Sequence, residues 1–190
     1  MNKKRTSKVP IKLKACVVAL SLWGFAPAVF ALSSSPVMAA DTASNAAQEQ
    51  VAKALVNKGD SLASLHRYEE SLAIFNDLIT RFGNSHNPKI QGIVVSALVN
   101  KGFDLRHLHR YEEALAVNND LITRFGNSQN PKIQEAVAWA LLNKGSDLGN
   151  LNRYEESSAV NNDLITRFGN SKNPIIQQAV AIARQRQQSQ

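Results

Sequence analysis

The stretch Arg-Phe-Gly-Asn-Ser begins at Arg81, Arg124 and Arg167, 43 residues apart each time. Around it, blocks 45–87, 88–130 and 131–173 align without a gap. The second and third blocks are identical at 31 of 43 positions, the first and second at 28. Residues 174–190 restart the pattern as a partial fourth unit. A fixed period of this length constrains the fold more than any composition does. Each unit is one supersecondary element that cannot bury its apolar face alone, so the units must stack into an array.

Each block reads as two helices. Asn130-Pro131 supplies an N-cap followed by a first-turn proline. Ile133, Val137, Ala140, Leu141, Leu148 and Leu151 then recur at helical spacing. A break is expected near Asn152. A second helix starts around Arg-Tyr-Glu-Glu, whose acidic pair suits the positive end of a helix. It ends at Gly169, expected in the left-handed conformation that terminates many helices. The first block carries Ala47 and Gln50 where the second has Ile90 and Ile93, a less apolar outer face suited to an end unit.

This pattern resembles the tetratricopeptide repeat. The resemblance rests on Gly59, Gly102 and Gly145, on Tyr68, Tyr111 and Tyr154 with the Glu pair after each, and on small residues at Ser71, Ala114 and Ser157. It implies an all-α fold, a superhelical array of antiparallel helix pairs over about residues 45–190. There are departures. The unit is longer than the family's usual ~34 residues, so the first helix should gain about two turns. The second-helix aromatic is Phe75 in the first unit but Asn118 and Asn161 in the others. Lys58, Lys101 and Lys144 stand where the family has leucine, on the core side of the first helix. HEAT-like pairs, with units of ~40–47 residues, are the alternative architecture.

Residues 1–40 have the form of an export signal. Six basic and no acidic residues fall there, followed by an apolar run and small residues before a cleavage point after Ala39 or Ala40. An uncleaved membrane anchor is the rival, because residues 15–40 carry no charge. From residue 41 onward sixteen basic residues face fifteen acidic ones, a net charge of +1. That balance argues against a nucleic-acid surface. Cys16 is the sole cysteine and lies in the leader, so the exported chain holds no disulfide. Periplasmic or secreted placement in a bacterial envelope follows as the expectation.

Five of the twelve positions that differ between the second and third units lie on one side of the first helix. On a wheel of about 100° per residue, Trp139, Leu142, Ser146, Gly149 and Asn150 fall opposite the apolar stripe of the third unit's first helix. Their counterparts are Ser96, Val99, Phe103, Arg106 and His107 in the second unit, and Lys53, Val56, Asp60, Ala63 and Ser64 in the first. The invariant Asn57, Asn100 and Asn143 flank the same side. In a stacked array this side lines the inner surface, and the family resemblance places its ligand groove there. Large apolar residues mixed with a few charges suit a protein or peptide partner. Phe103, Trp139 and Leu142 are expected as apolar anchors, with Lys53, Arg106 and the three asparagines fixing orientation. The asparagines have a second reading as bonds to a neighbouring helix.

No catalytic, metal or cofactor site is expected. The Glu pairs recur once per unit at a helix start, a structural placement. His107 and His109 are about 200° apart on a helix and cannot meet at one metal. Two further readings accompany a non-catalytic binding scaffold: a homo-oligomer formed through the partial fourth unit, and an accessory subunit of an envelope enzyme.

Overall fold

The computed structural model describes residues 36–188, with side chains from residue 44. The expected leader, residues 1–40, therefore lies almost wholly outside the described residues. Seven α-helices and no strands occur among those described: α1 (Pro36–Ser64), α2 (Tyr68–Phe82), α3 (Pro88–His107), α4 (Tyr111–Phe125), α5 (Pro131–Asn150), α6 (Tyr154–Phe168) and α7 (Pro174–Gln188). The protein is an all-α helical repeat array. No described helix is long and apolar enough to cross a membrane. α1 starts at Pro36, nine residues before the first 43-residue block.

The helix starts follow from local chemistry. Asn87 Oδ1 accepts from Lys89 N at 2.9 Å, Asn130 Oδ1 from Lys132 N at 3.0 Å and Asn173 Oδ1 from Ile175 N at 2.9 Å. Each is followed by proline at the position whose missing N–H costs nothing.

Between the helices of a pair, the chain reverses through a single left-handed residue: His66 (φ 58°), His109 (φ 57°) or Asn152 (φ 60°). His and Asn are among the few side chains that tolerate this region. Each is held by the tyrosine two residues on. Tyr154 Oη donates to Asn152 Oδ1 at 2.8 Å, and His66 and His109 Nδ1 each share a 2.8 Å hydrogen bond with Tyr68 or Tyr111 Oη. The recurring tyrosine thus fixes the turn.

Within the first and third pairs the helices close at glycine. A Cβ on Gly59 would sit 2.5 Å from Phe75 Cε1, and one on Gly145 would sit 2.8 Å from Asn161 Oδ1. Ser71 and Ser157 Oγ donate to the Gly59 and Gly145 carbonyls at 3.0 and 2.7 Å.

Between units, consecutive odd helices pack side by side: α1 on α3, α3 on α5, α5 on α7. No such contact joins α2 to α4 or α4 to α6. The row that closes up has the shorter path, so the odd helices form the inner side of the array. Buried Ile90, Val94, Leu98, Ile133, Val137 and Leu141 fill the space between the rows.

Gly83, Gly126 and Gly169 overturn one expectation. All three have right-handed φ/ψ, with φ between −55° and −57°. Glycine is required there by close approach: a Cβ on Gly126 would lie 2.4 Å from the Ile122 carbonyl oxygen. The exposed carbonyl also has a partner in the next unit. Arg167 Nη2 donates to Gly126 O at 2.7 Å, and Arg124 Nη2 donates to Gly83 O. Each arginine lies over its neighbouring phenylalanine, 5.1 Å from the Phe125 ring for Arg124 and 5.5 Å from Phe168 for Arg167. The repeated pentapeptide is therefore a junction between units as well as a helix end.

Arg81, in the first unit, makes an ion pair with Asp77 on its own helix at 3.2 Å. Arg167→Ala should lower the unfolding free energy by roughly 1–2 kcal/mol, the range for a charge-assisted hydrogen bond. Arg81→Ala should cost about 0.5 kcal/mol or less, as for an exposed helical ion pair. Equal losses in chemical denaturation would show that the inter-unit bond adds nothing.

Candidate functional site

The inner side of the odd helices carries three adjoining depressions. The first, about 390 Å³, lies across α1, α3 and α5 and is lined by Val56, Asp60, Ser96, Val99 and Asn100 together with Lys132 and Ala136. The second, about 430 Å³, shares Asp60 and Asn100 and adds Ala63, Ser64, His66, Tyr68, Phe103, Asp104 and His107. The third, about 230 Å³, shares Phe103 and His107 and adds Arg106, Tyr111 and Asn150. Shared residues make them one discontinuous groove. A larger depression of about 750 Å³ lies between α1 and the end of α2, and none of the expected site residues lines it.

Phe103 stands out within this groove. It is 53 % exposed, about one turn before the end of α3. Its ring meets His107 edge-on at 4.3 Å between centroids, and His107 stacks on Tyr68 at 4.9 Å. Three rings from two units therefore form one aromatic wall.

Several expected contact residues are placed otherwise. Leu142 is only 3 % exposed and cannot act as a free anchor, because α7 packs against α5 and Arg186 Nη1 donates to the Leu142 carbonyl at 3.2 Å. Trp139 is half-buried and packs on the core. Ser146 Oγ donates to the Leu142 carbonyl, and Asn150 Nδ2 to the Ser146 carbonyl, both at 3.1 Å. Lys53 is exposed and paired with Glu49 at 2.5 Å on its own helix. Neither Trp139, Leu142, Asn143 nor Ser146 lines the three depressions.

Two of the invariant asparagines bond to a neighbouring helix. Asn100 Nδ2 donates to Asp60 Oδ1 at 2.6 Å, and Asn143 Oδ1 accepts from Arg106 Nη1 at 2.6 Å. Asn57 is exposed. Lys58, Lys101 and Lys144 each lie in the field of the second glutamate of their own unit, Glu70, Glu113 and Glu156. Lys101 is half-buried, and its desolvation lowers its pKa.

The sequence reading missed two buried aspartates. Asp104 and Asp147 occupy equivalent positions and are both fully buried. Asp147 has two partners: Asn118 Nδ2 donates to Oδ2 at 2.9 Å, and Arg106 Nε lies 3.4 Å from Oδ1 as an ion pair. Burial nevertheless raises its pKa from 3.8 to about 6, against the pull of Arg106 and Asn118. Asp104 has neither partner. Phe75 replaces Asn118, Ala63 replaces Arg106, and neither carboxylate oxygen receives a hydrogen bond. The nearby Ser71 hydroxyl gives its one proton to Gly59 O. Burial raises the Asp104 pKa as well, the neighbouring Asp60 adding to the rise and His107 opposing it. The legible signal was a charged residue beside the apolar stripe in two units out of three, with Ser61 at the first unit's position.

Among the described residues, no group of three His, Cys, Asp or Glu side chains is placed to hold a metal ion. No protein-family model and no curated protein matches this chain.

The sign of the pH effect follows from the raised pKa. The folded state keeps the Asp147 proton to about pH 6, whereas the unfolded chain loses it near 3.8. This contribution is complete below pH 3.8 and is lost as pH rises through 6, by about 3 kcal/mol in all. Asp147→Asn should remove that loss, so its stability relative to wild type should rise by about 2–3 kcal/mol between pH 4 and 7. A stability difference that stays constant across this window in denaturant titrations would refute the assignment.

Proposed function

We propose that the protein is an exported, tetratricopeptide-like scaffold that binds a protein or peptide partner along the inner side of its odd helices, without catalysing a reaction. The observation that carries this reading is Phe103. A phenylalanine left 53 % exposed on a well-packed helix forgoes burial worth about 1–2 kcal/mol. It stands where two of the three depressions adjoin, in a set of positions that changes from unit to unit. Exposed aromatics rimmed by polar side chains are the usual anchors of protein recognition.

Arg106, expected to orient a partner, is better read as a structural part of the groove, since it already serves Asn143 and Asp147. Val56 and Val99 supply apolar floor beside Phe103, and Asp60 and Asn100 supply polarity. Export rests on the leader-like residues 1–40. The near-neutral remainder favours a protein over a nucleic acid as partner.

Photo-crosslinking from position 103 in intact cells tests the reading, with exposed position 119 on α4 as control. One or a few discrete adducts from 103 alone are expected. An adduct of twice the protein's own mass would replace this reading with self-assembly. Absence of any adduct from 103 would refute it.

A further inference from the structure

The two inner junctions between units have the same backbone plan and different occupants. At the junction of α3 and α5, Arg106 reaches from one unit into the next. Its guanidinium donates to Asn143 Oδ1 at 2.6 Å and lies 3.4 Å from buried Asp147. At the junction of α1 and α3, the equivalents of Asn143 and Asp147 are Asn100 and Asp104. The equivalent of Arg106 is Ala63, which has no side chain beyond Cβ. The space beside it is the 430 Å³ depression, and Ala63, Asn100 and Asp104 all line it.

That depression differs from its counterpart in charge too. Asp60 stands at the position of Phe103 and accepts from Asn100 Nδ2 at 2.6 Å, which turns the amide's donors toward Asp60 and leaves its oxygen as the free acceptor. Asp104, fully buried, has no donor on either oxygen. A buried carboxylate without a partner is costly and is relieved by a cation or by a proton. The side wall is the Phe103, His107 and Tyr68 stack, and aromatic faces attract guanidinium groups.

We propose that this depression is a subsite for an arginine side chain of the protein or peptide partner, which would take the place that Arg106 fills at the next junction. The inference rests on the proposed binding function and gives it a specificity: a partner presenting an arginine next to an apolar residue for Phe103. The planar guanidinium fits the set better than a lysine ammonium does, because its fork of donors can serve Asp60, Asp104 and the Asn100 oxygen together.

The probe is a single arginine residue blocked at both ends, titrated into the full chain while the Asn100 side-chain amide is followed by NMR. The control is the equally blocked citrulline, which has the same shape and no charge. A saturable shift of Asn100 is expected with arginine, with citrulline binding at least about tenfold more weakly. Asp104→Asn should weaken arginine binding by about tenfold. Ala63→Arg should abolish the shift and raise Tm by supplying the missing guanidinium internally. Arg106→Ala should open a second site, reported by Asn143. A shift that is equal with citrulline, or that persists unchanged in both Asp104→Asn and Ala63→Arg, would overturn the subsite. Adducts from position 103 without an arginine response would overturn this subsite and leave the binding groove standing.

Discussion

The array depends on how closely two helices of one unit approach. Gly59 and Gly145 admit the facing side chain to a distance that a Cβ would forbid, and Ser71 and Ser157 then tie the paired helix to the glycine carbonyl. In the second unit a Cβ on Gly102 would lie 3.7 Å from Asn118 Oδ1, an ordinary contact, and Ala114 offers no hydroxyl, so that pair closes without either device. The backbones of neighbouring odd helices approach one another, whereas neighbouring even helices are joined through side chains such as Arg110 on Glu69 and Arg167 on the Gly126 carbonyl. The inner face, its depressions and the exposure of Phe103 all descend from this geometry. A larger residue at Gly59 or Gly145 would spread the pair and shift every junction after it.

Much of this was legible because repetition multiplies weak signals. A single Asn-Pro or Tyr-Glu-Glu says little, but three copies 43 residues apart fix helix starts, turns and pairing. The left-handed residue was misplaced to Gly169 by the general preference of helix ends for glycine. The turn needs it at His66, His109 and Asn152, where a tyrosine hydroxyl holds the side chain. Gly126 keeps its identity for proximity to the Ile122 carbonyl instead.

The candidate site was legible only in part, for a reason of packing. A helical wheel with one apolar stripe assumes one buried side. The interior odd helices α3 and α5 each meet the even helices before and after them and an odd neighbour on each flank. Leu142 lies opposite the stripe on the wheel, yet α7 covers it. Phe103 lies at the equivalent of Ser146, near the open side, and is exposed. The burial of the variable residues thus depended on which flank each one leaned toward. Asp104 and Asp147 escaped notice because a charge beside an apolar stripe reads as a surface residue until the neighbouring helix is in place.

Exact repetition carries a physical problem that this chain answers unequally at its two junctions. A buried aspartate repeated without change needs its partners repeated as well. Asn118 and Arg106 supply them for Asp147, at the expense of the aromatic that Phe75 contributes to the first unit's packing. The first junction keeps the aromatic and leaves Asp104 without a donor. Packing and polar satisfaction therefore compete for the same position, 75 or 118, and the two units settle the competition differently. A carboxylate retained where hydrophobic packing won adds no stability to the isolated chain. Its retention beside an open depression is understandable when the missing charge arrives from outside, because a groove that is incomplete alone discriminates among partners by what it lacks.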